Sequence, residues 1–503
     1  MSAGTPAAAA DTQALGENAA EFFDVIVVGA GLSGIAAAHY LQERCPARTY
    51  VVLEGRDAVG GTWDLFRYPG VRSDSDMSTL GYSFRPWTSD ASFARGDAIR
   101  DYVTQTAQEE GIDRHIRFGH RVVAADWESS RSRWRVTVAA PDGERVVACA
   151  FLFFCSGYYD YARGHEPQWP GQDGFAGSVV HPQRWPEALD WRGRRVVVIG
   201  SGATAVTLVP AMAAQAAHVT MLQRSPSYII ALPAHDALGA RLRRWLPAGL
   251  AWRLVRWKNI LLAMLLFQYS RRRPEQMKRL IERGAQKLLG PAFDVQRHLS
   301  PRYQPWDQRL CISPDADFFT AIRAGRAGIV TGEIESFTRR GIRLQGGEEV
   351  EADIVVTATG LQLKLLGGAK LSIDGAAADA SQSVVYRGTM YSGIPNLAVA
   401  SGYTNASWTL KCELSARFVC RVLNAMAASG ATVCTPVAAP GVATGQPFLD
   451  LTSTYVQRDA ALLPRQGAHR PWRMYQNYLL DLLALKFTPL RDGVLRFTGG
   501  RAP

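Results

Sequence analysis

DVIVVGAGLSGIAAA, residues 24–38, is the stretch from which the fold is read. Val25-Ile26-Val27-Val28 is a short β-branched run, which predicts a strand buried on both faces. It runs straight into Gly29-Ala30-Gly31-Leu32-Ser33-Gly34 and then the small, helix-favouring Ile35-Ala36-Ala37-Ala38. Gly29 permits the tight turn, Gly31 the close approach of a pyrophosphate, and Gly34 the packing of helix on strand. Free N–H groups at the helix start then face the phosphates. A second strand, 49–53, ends at Glu54, 20 residues after Gly34. A carboxylate there can accept from both hydroxyls of an unphosphorylated ribose. The glycine motif alone is weak evidence; strand, helix, strand and acid in this order predict a dinucleotide-binding unit.

The pattern recurs. Arg195-Val196-Val197-Val198-Ile199 leads into Gly200-Ser201-Gly202-Ala203-Thr204-Ala205, with alanine at the third glycine position, a replacement that the motif allows. The next strand, 218–222, ends at Gln223-Arg224-Ser225, where Arg224 lies 19 residues after Ala205. A carboxylate here would repel a 2′-phosphate, whereas a guanidinium offers it charge and paired hydrogen bonds. NADPH is the expected ligand of this unit, with Arg224 and Ser225 at its 2′-phosphate. A plain surface arginine in a basic chain is the alternative reading. Two such units predict an α/β chain with two Rossmann-like dinucleotide-binding domains.

Composition agrees with a globular chain: 503 residues, 47% hydrophobic and 20% charged, enough for two to four domains. The seven cysteines contain no C-x-x-C pair, so neither a zinc site nor a redox dithiol is expected. Their odd number suits a reducing, cytoplasmic setting. Residues 1–20, rich in alanine and small polar residues, read as a disordered leader without a signal peptide. The longest mid-chain apolar run, 260–267, is eight residues, too short to span a bilayer. Twelve Lys/Arg against two Glu lie between Arg241 and Arg283, in a helical insert over 238–300. The preferred reading of that insert is a packed lid with a solvated basic face. The alternatives are an oligomer contact and a weak peripheral membrane contact. No nucleic-acid partner is expected.

Between the two units stands FAGSVVHPQRWP (175–186), with Phe175, Gly177, His181, Trp185 and Pro186 in the spacing F-x-G-x-x-x-H-x-x-x-W-P. In that position the pattern resembles the fingerprint of Baeyer–Villiger monooxygenases, flavoproteins that insert oxygen beside a ketone. Gly60-Gly61-Thr62-Trp63 resembles their flavin-contacting turn. That makes FAD the expected ligand of the first unit, held by Glu54, Thr62, Trp63, Asp64, Asp74 and Val122 besides the glycines. PWDQR (305–309), GYTNASWTLK (402–411) and PWRMYQNYLLDLL (471–483) are similar to the ethionamide-activating type. Many members carry Lys-Arg, the Lys assisting the 2′-phosphate, where this chain has Gln308-Arg309. The resemblance covers about residues 22–495.

The resemblance implies a reaction. NADPH reduces FAD, O₂ forms a C4a-peroxyflavin, and a ketone becomes an ester or lactone, with sulfoxidation as a side activity. Arg309 would stabilise the peroxide and the oxyanion of the adduct, with Asp74 holding and polarising Arg309. Tyr403, Asn405 and Trp408 would line the substrate pocket, and Phe175–Pro186 would be a hinge-like linker bent at Gly177. The alternative keeps both cofactors: a flavin-containing monooxygenase oxidising N or S atoms. A flavin disulfide reductase lacks its dithiol here. The expected organisation is a leader (1–20), an FAD-binding part (21–165), the linker (166–190), an NADPH-binding part (191–237), the insert (238–300), a second NADPH-binding part (301–350), and a second FAD-binding part with the C-terminal segment (351–503). The ligands are expected to be a ketone or thioether and O₂, with no metal.

Overall fold

The computed structural model describes residues 21–308, 310–448 and 452–500. The expected leader and Arg309 lie outside the described residues. Strand β1 (Phe22–Val28), helix α1 (Leu32–Arg44) and β2 (Tyr50–Leu53) form the first dinucleotide unit. An antiparallel meander follows: β3 (Arg121–Glu128), β4 (Arg133–Ala140) and β5 (Gly143–Phe154). The long β5 serves two sheet regions. Its first half pairs with β4, and its second half lies parallel to β1. Alternate residues of β1 enter different cores: Val25 and Val27 pack beneath α1, while Ile26 and Val28 pack with Trp127 and Trp134 of the meander. Burial on both faces is why this strand needs an unbroken apolar run.

The second unit begins earlier than expected. β6 (Ser178–Val180) comes from the fingerprint stretch itself. β7 (Arg195–Ile199), α2 (Ala203–Ala213) and β8 (His218–Gln223) follow. The helical insert is α3 (Ala237–Trp245), α4 (Ala248–Arg272) and α5 (Pro274–Leu289). The chain returns through α6 (Asp317–Arg323), β9 (Ala327–Thr331) and β10 (Ile354–Thr357). The sheet order is β9-β8-β7-β10-β6, all parallel. Two expectations are corrected here. The hinge-like linker is an edge strand of this sheet, and β10, placed in the returning flavin part, lies between β7 and β6. An Ile-Val-Val-Thr strand with all four residues buried needs neighbours on both sides, and only this sheet supplies them.

The chain then re-enters the first unit. β11 (Leu397–Val399) lies parallel to β5, and α7 (Trp408–Ser429) packs along α1. A last helix, α8 (Tyr478–Lys486), rests on α7. Arg256 on α4 sinks inward and pairs with Glu413 on α7, Nη2 to Oε2 at 2.6 Å, both side chains only 6% exposed. Its Nη1 donates to the carbonyls of Ser78 (2.9 Å) and Gly81 (2.6 Å). The insert is thus a packed lid on the flavin unit. Its outer face, expected to be solvated and basic, also carries exposed Leu254, Trp257, Leu261 and Leu265. The helix is apolar on several sides and the flavin unit covers only one. No helix among the described residues is long and apolar enough to cross a membrane.

Candidate active site

The two glycine turns of the first unit meet backbone to backbone. A Cβ on Gly61 would lie 3.1 Å from the Gly31 Cα, and Gly60 N–H donates to the Ala30 carbonyl (3.1 Å). A Cβ on Gly34 would stand 1.8 Å from the Gly29 oxygen, so α1 can seat against the turn only with glycine there. At the matching place in the second unit Ala205 is fully buried, and α2 likewise begins one residue after the second glycine of its turn. α1 has Gly31 as N-cap with no side-chain cap. Its first N–H groups therefore face the turn unpaired by side chains.

Glu54 is buried at the end of β2, and burial raises its pKa. Its Oε2 accepts from Ala30 N–H (2.7 Å) and Oε1 from Arg56 N–H (2.9 Å), so it braces the glycine turn and keeps lone pairs for further donors. Thr62 and Trp63 are half-buried in the short helix Thr62–Leu65. Asp64 is not open to a ligand: Arg56 and Arg67 each hold its carboxylate at 2.6 Å. Val122 points into the core with Val51 and Leu53. A flavin contact there would have to come from its backbone.

In the second unit Gly200 takes φ +132°, and a Cβ on it would meet the Ala358 carbonyl at 2.3 Å. Nothing lies within 4 Å of a Cβ placed on Gly202, the uncapped N-cap of α2. Ser201 Oγ donates to the Ser225 carbonyl at 3.0 Å, tying the turn to the end of β8. Arg224 is exposed beside it and forms no ion pair with the described residues. Ala203 and Thr204 open α2.

Residues 67–81 join the three bodies. Tyr68 is buried in the core of the second unit. Gly70, at φ +79°, lies so close to α2 that a Cβ would stand 2.5 Å from the Thr207 carbonyl. Arg72 pairs with Asp317 of α6 at 2.6 Å. Asp76 caps the turn Met77–Leu80 and accepts from Asn259 of α4 at 2.9 Å. Asp74 sits half-buried between these anchors. Burial, with a smaller contribution from the Asp74 charge, pushes the Tyr68 phenol up. None of these anchors was legible in sequence, since their partners lie far along the chain. The one local signal was Gly70 itself.

The fingerprint stretch is a strand followed by a tight turn. His181 Nδ1 accepts from Gln183 N–H at 3.2 Å, and burial lowers its pKa. The ring is therefore neutral, with its proton on Nε2. It lies against Gly164, where a Cβ would stand 2.1 Å from Cε1. Phe175 packs edge-on to Phe337, and Trp185 lies beside Trp191. Gly177 serves close approach rather than a bend: a Cβ there would meet the Asp353 carbonyl at 2.2 Å. Pro186, Glu166, Gln168, His181, Arg184 and Thr357 line a groove of about 260 Å³. It opens at the carboxyl ends of β6 and β10, the edge where open α/β sheets bind ligands.

Among the residues flanking Arg309, Asp307 is occupied by Arg271 (2.7 Å) and Gln304 N–H (3.0 Å). Tyr403 is 1% exposed and donates to Asp481 at 2.8 Å. It packs with Ile260 and Leu410 rather than lining an open pocket, because a buried phenol takes the nearest strong acceptor. Asn405 Nδ2 donates to the Gln476 carbonyl at 2.8 Å. Trp408 reaches the first turn of α1, its indole N–H donating to Ser33 Oγ at 3.1 Å.

Residues 23–240 match the family of flavin-binding monooxygenase-like proteins. The chain is 49% identical over 483 residues to the FAD-containing monooxygenase EthA of Mycolicibacterium smegmatis, covering 96% of this chain and 98% of that one. The chain belongs to the flavin-binding monooxygenases. Its fold is that of the Baeyer–Villiger enzymes. A steroid monooxygenase solved with NADP superposes with a TM-score of 0.70 at 23% identity, over 83% of this chain and 88% of that one. A cyclohexanone monooxygenase bound to ε-caprolactone gives 0.69 at 21%, over 83% and 90%. As a flavin-binding monooxygenase the chain needs room for a dinucleotide beside α1. The facing glycine turns and uncapped helix start fit that requirement.

Proposed function

We propose that the protein is an NADPH- and O₂-dependent FAD monooxygenase that turns ketones into esters or lactones, with sulfoxidation of thioethers as a side activity. One oxygen atom enters the product, the other leaves as water, and NADPH supplies two electrons. The observation that carries the cofactor reading is the contrast between two copies of one turn: Glu54, buried and bracing the first, and Arg224, exposed and without an ion-pair partner among the described residues at the second. The EthA relative, named as FAD-containing, supports the flavin. The cyclohexanone monooxygenase, solved with a lactone, supports the ketone.

Bound FAD would pass electrons from NADPH to O₂. Gly29, Gly31 and Gly61 would hold its pyrophosphate, with Gly34 letting α1 seat against the turn, and Glu54 would hold its ribose. Gly200, Ser201, Gly202 and the start of α2 would hold the NADPH pyrophosphate, with Arg224 at the 2′-phosphate. Arg309 is assigned the catalytic charge that stabilises the oxyanion at the substrate carbonyl. Asp74 is assigned the orientation of that arginine. Its position among the anchors of residues 67–81 supports this role, because those anchors fix the backbone on either side of it.

The test is product analysis with linear, cyclic and aryl ketones plus one thioether, for the wild type and Arg309→Ala. The wild type should form ester or lactone in step with NADPH consumed. Arg309→Ala should consume NADPH and release hydrogen peroxide without ester. Thioether oxidation with no ester from any ketone would move the protein to the N- and S-oxidising class.

A further inference from the structure

Helix α4 turns an apolar ridge outward. Leu250, Leu254, Trp257, Leu261 and Leu265 recur at helical spacing and are 39–68% exposed, and Leu262 beside them is 60% exposed. Trp245, which ends α3, is 76% exposed. The Trp257 ring meets Tyr478 at 5.8 Å, and from there α8 and the residue after it add Leu483 (52%) and Phe487 (62%). Scattered surface leucines need no explanation; a helical stripe of them does.

The insert that carries this ridge is strongly basic, with twelve Lys/Arg against Glu275 and Glu282 between Arg241 and Arg283. α4 contains no Asp or Glu. Arg241, Arg253, Arg272, Arg273, Arg279 and Arg283 are exposed and form no ion pair with the described residues. Where the insert does meet carboxylates it uses other cations: Arg243 with Asp90, Arg256 with Glu413, Lys258 with Asp236 and Arg271 with Asp307. The buried Arg256 keeps the inner face of α4 on the flavin unit, so the ridge stands preformed.

We propose that this face docks on an anionic lipid surface, with α4 lying in the headgroup layer. The leucines and Trp257 would enter the boundary of the acyl chains while the arginines reach lipid phosphates. A second copy of the chain fits less well: a two-fold contact brings identical patches together, and α4 has no acid to meet its own arginines. The docking extends the ketone reading by placing the enzyme where apolar ketones dissolve, but it requires no turnover and can be tested apart from it.

The experiment is flotation of the FAD-loaded protein with vesicles of phosphatidylcholine alone or of equal parts phosphatidylcholine and phosphatidylglycerol. The anionic vesicles should bind on the order of tenfold more protein, with the difference lost at high salt. Leu262→Glu/Leu265→Glu should abolish flotation while flavin absorbance and melting temperature stay as in the wild type, because both side chains are exposed. Arg253→Glu/Arg272→Glu should remove the preference for anionic vesicles. Absence of flotation, equal flotation with both vesicles, or unchanged flotation of the leucine variant would each overturn the proposal. So would a dimer in sedimentation equilibrium that the leucine variant dissociates without any vesicle binding.

Discussion

Arg224 and Glu54 stand at matching places in two copies of one motif and present opposite chemistry. Both were legible in sequence, because strand, glycine turn, helix and strand are local features and the deciding residue follows at a fixed distance. What Glu54 does besides was not legible: it takes two backbone N–H groups of its own turn, which is a matter of where a buried carboxylate finds donors. Arg224→Ala should raise KM for NADPH on the order of 10- to 100-fold, the range for hydrogen bonds to a charged group, and leave KM for NADH nearly unchanged. Steady-state kinetics with both nucleotides checks this, and equal losses would remove the assignment. Asp64 and Tyr403 show the limit of residue-by-residue transfer. Each is where the resemblance put it in the chain, yet Arg56 and Arg67 hold the one and Asp481 binds the other.

At the scale of elements, the fingerprint stretch changed most. Its spacing was readable, but its pairing with β10 was not, since three residues of strand (Ser178–Val180) carry too little periodicity to announce an edge. His181 belongs to that element as a neutral ring. Its pKa is depressed from 6.5 by burial, so the unfolded chain binds the extra proton more readily. The stability this ring contributes is present above about pH 6.5 and is lost as pH falls through the lower folded value. The melting temperature should therefore drop between pH 7 and pH 5, and His181→Gln should flatten part of that slope. His165 and His298 are depressed too, and a remainder should persist. His181→Ala should also lower the coupling of NADPH use to oxygenation with FAD retained. The loop at Gly70 makes a separate case. Gly70→Ala would place a methyl 2.5 Å from the Thr207 carbonyl at φ +79°. Backbone strain and overpacking together should cost about 2–4 kcal/mol. Thermal melts measure the cost, and slower flavin reduction by NADPH would report the loosened contact between units.

For the whole molecule, the two-domain α/β architecture was readable from the repeated motif, whereas the way the insert is fastened was not. Twelve cations in one segment look alike in sequence, and only packing picks out Arg256 as the one that turns inward. Its guanidinium joins α4, the Ser78–Gly81 turn and α7 through Glu413. Glu413 in turn accepts from Tyr40 OH (3.1 Å), Ser83 N–H (2.9 Å) and Ser83 Oγ (2.8 Å). Removing one member of a buried pair leaves the other charge uncompensated, at a cost of about 3–5 kcal/mol. Arg256→Met should lie at the low end of that range, because three donors still face the carboxylate and a methionine fills much of the space. Glu413→Gln should lose more, since it leaves the guanidinium with carbonyl partners only. The double variant removes both charges and should recover about 1–3 kcal/mol relative to the sum of the single losses. Denaturant unfolding of all four proteins closes the cycle. If the double loss instead equals that sum, the pair is not what fastens the insert to the flavin unit, and the apolar contacts of α4 must hold it alone.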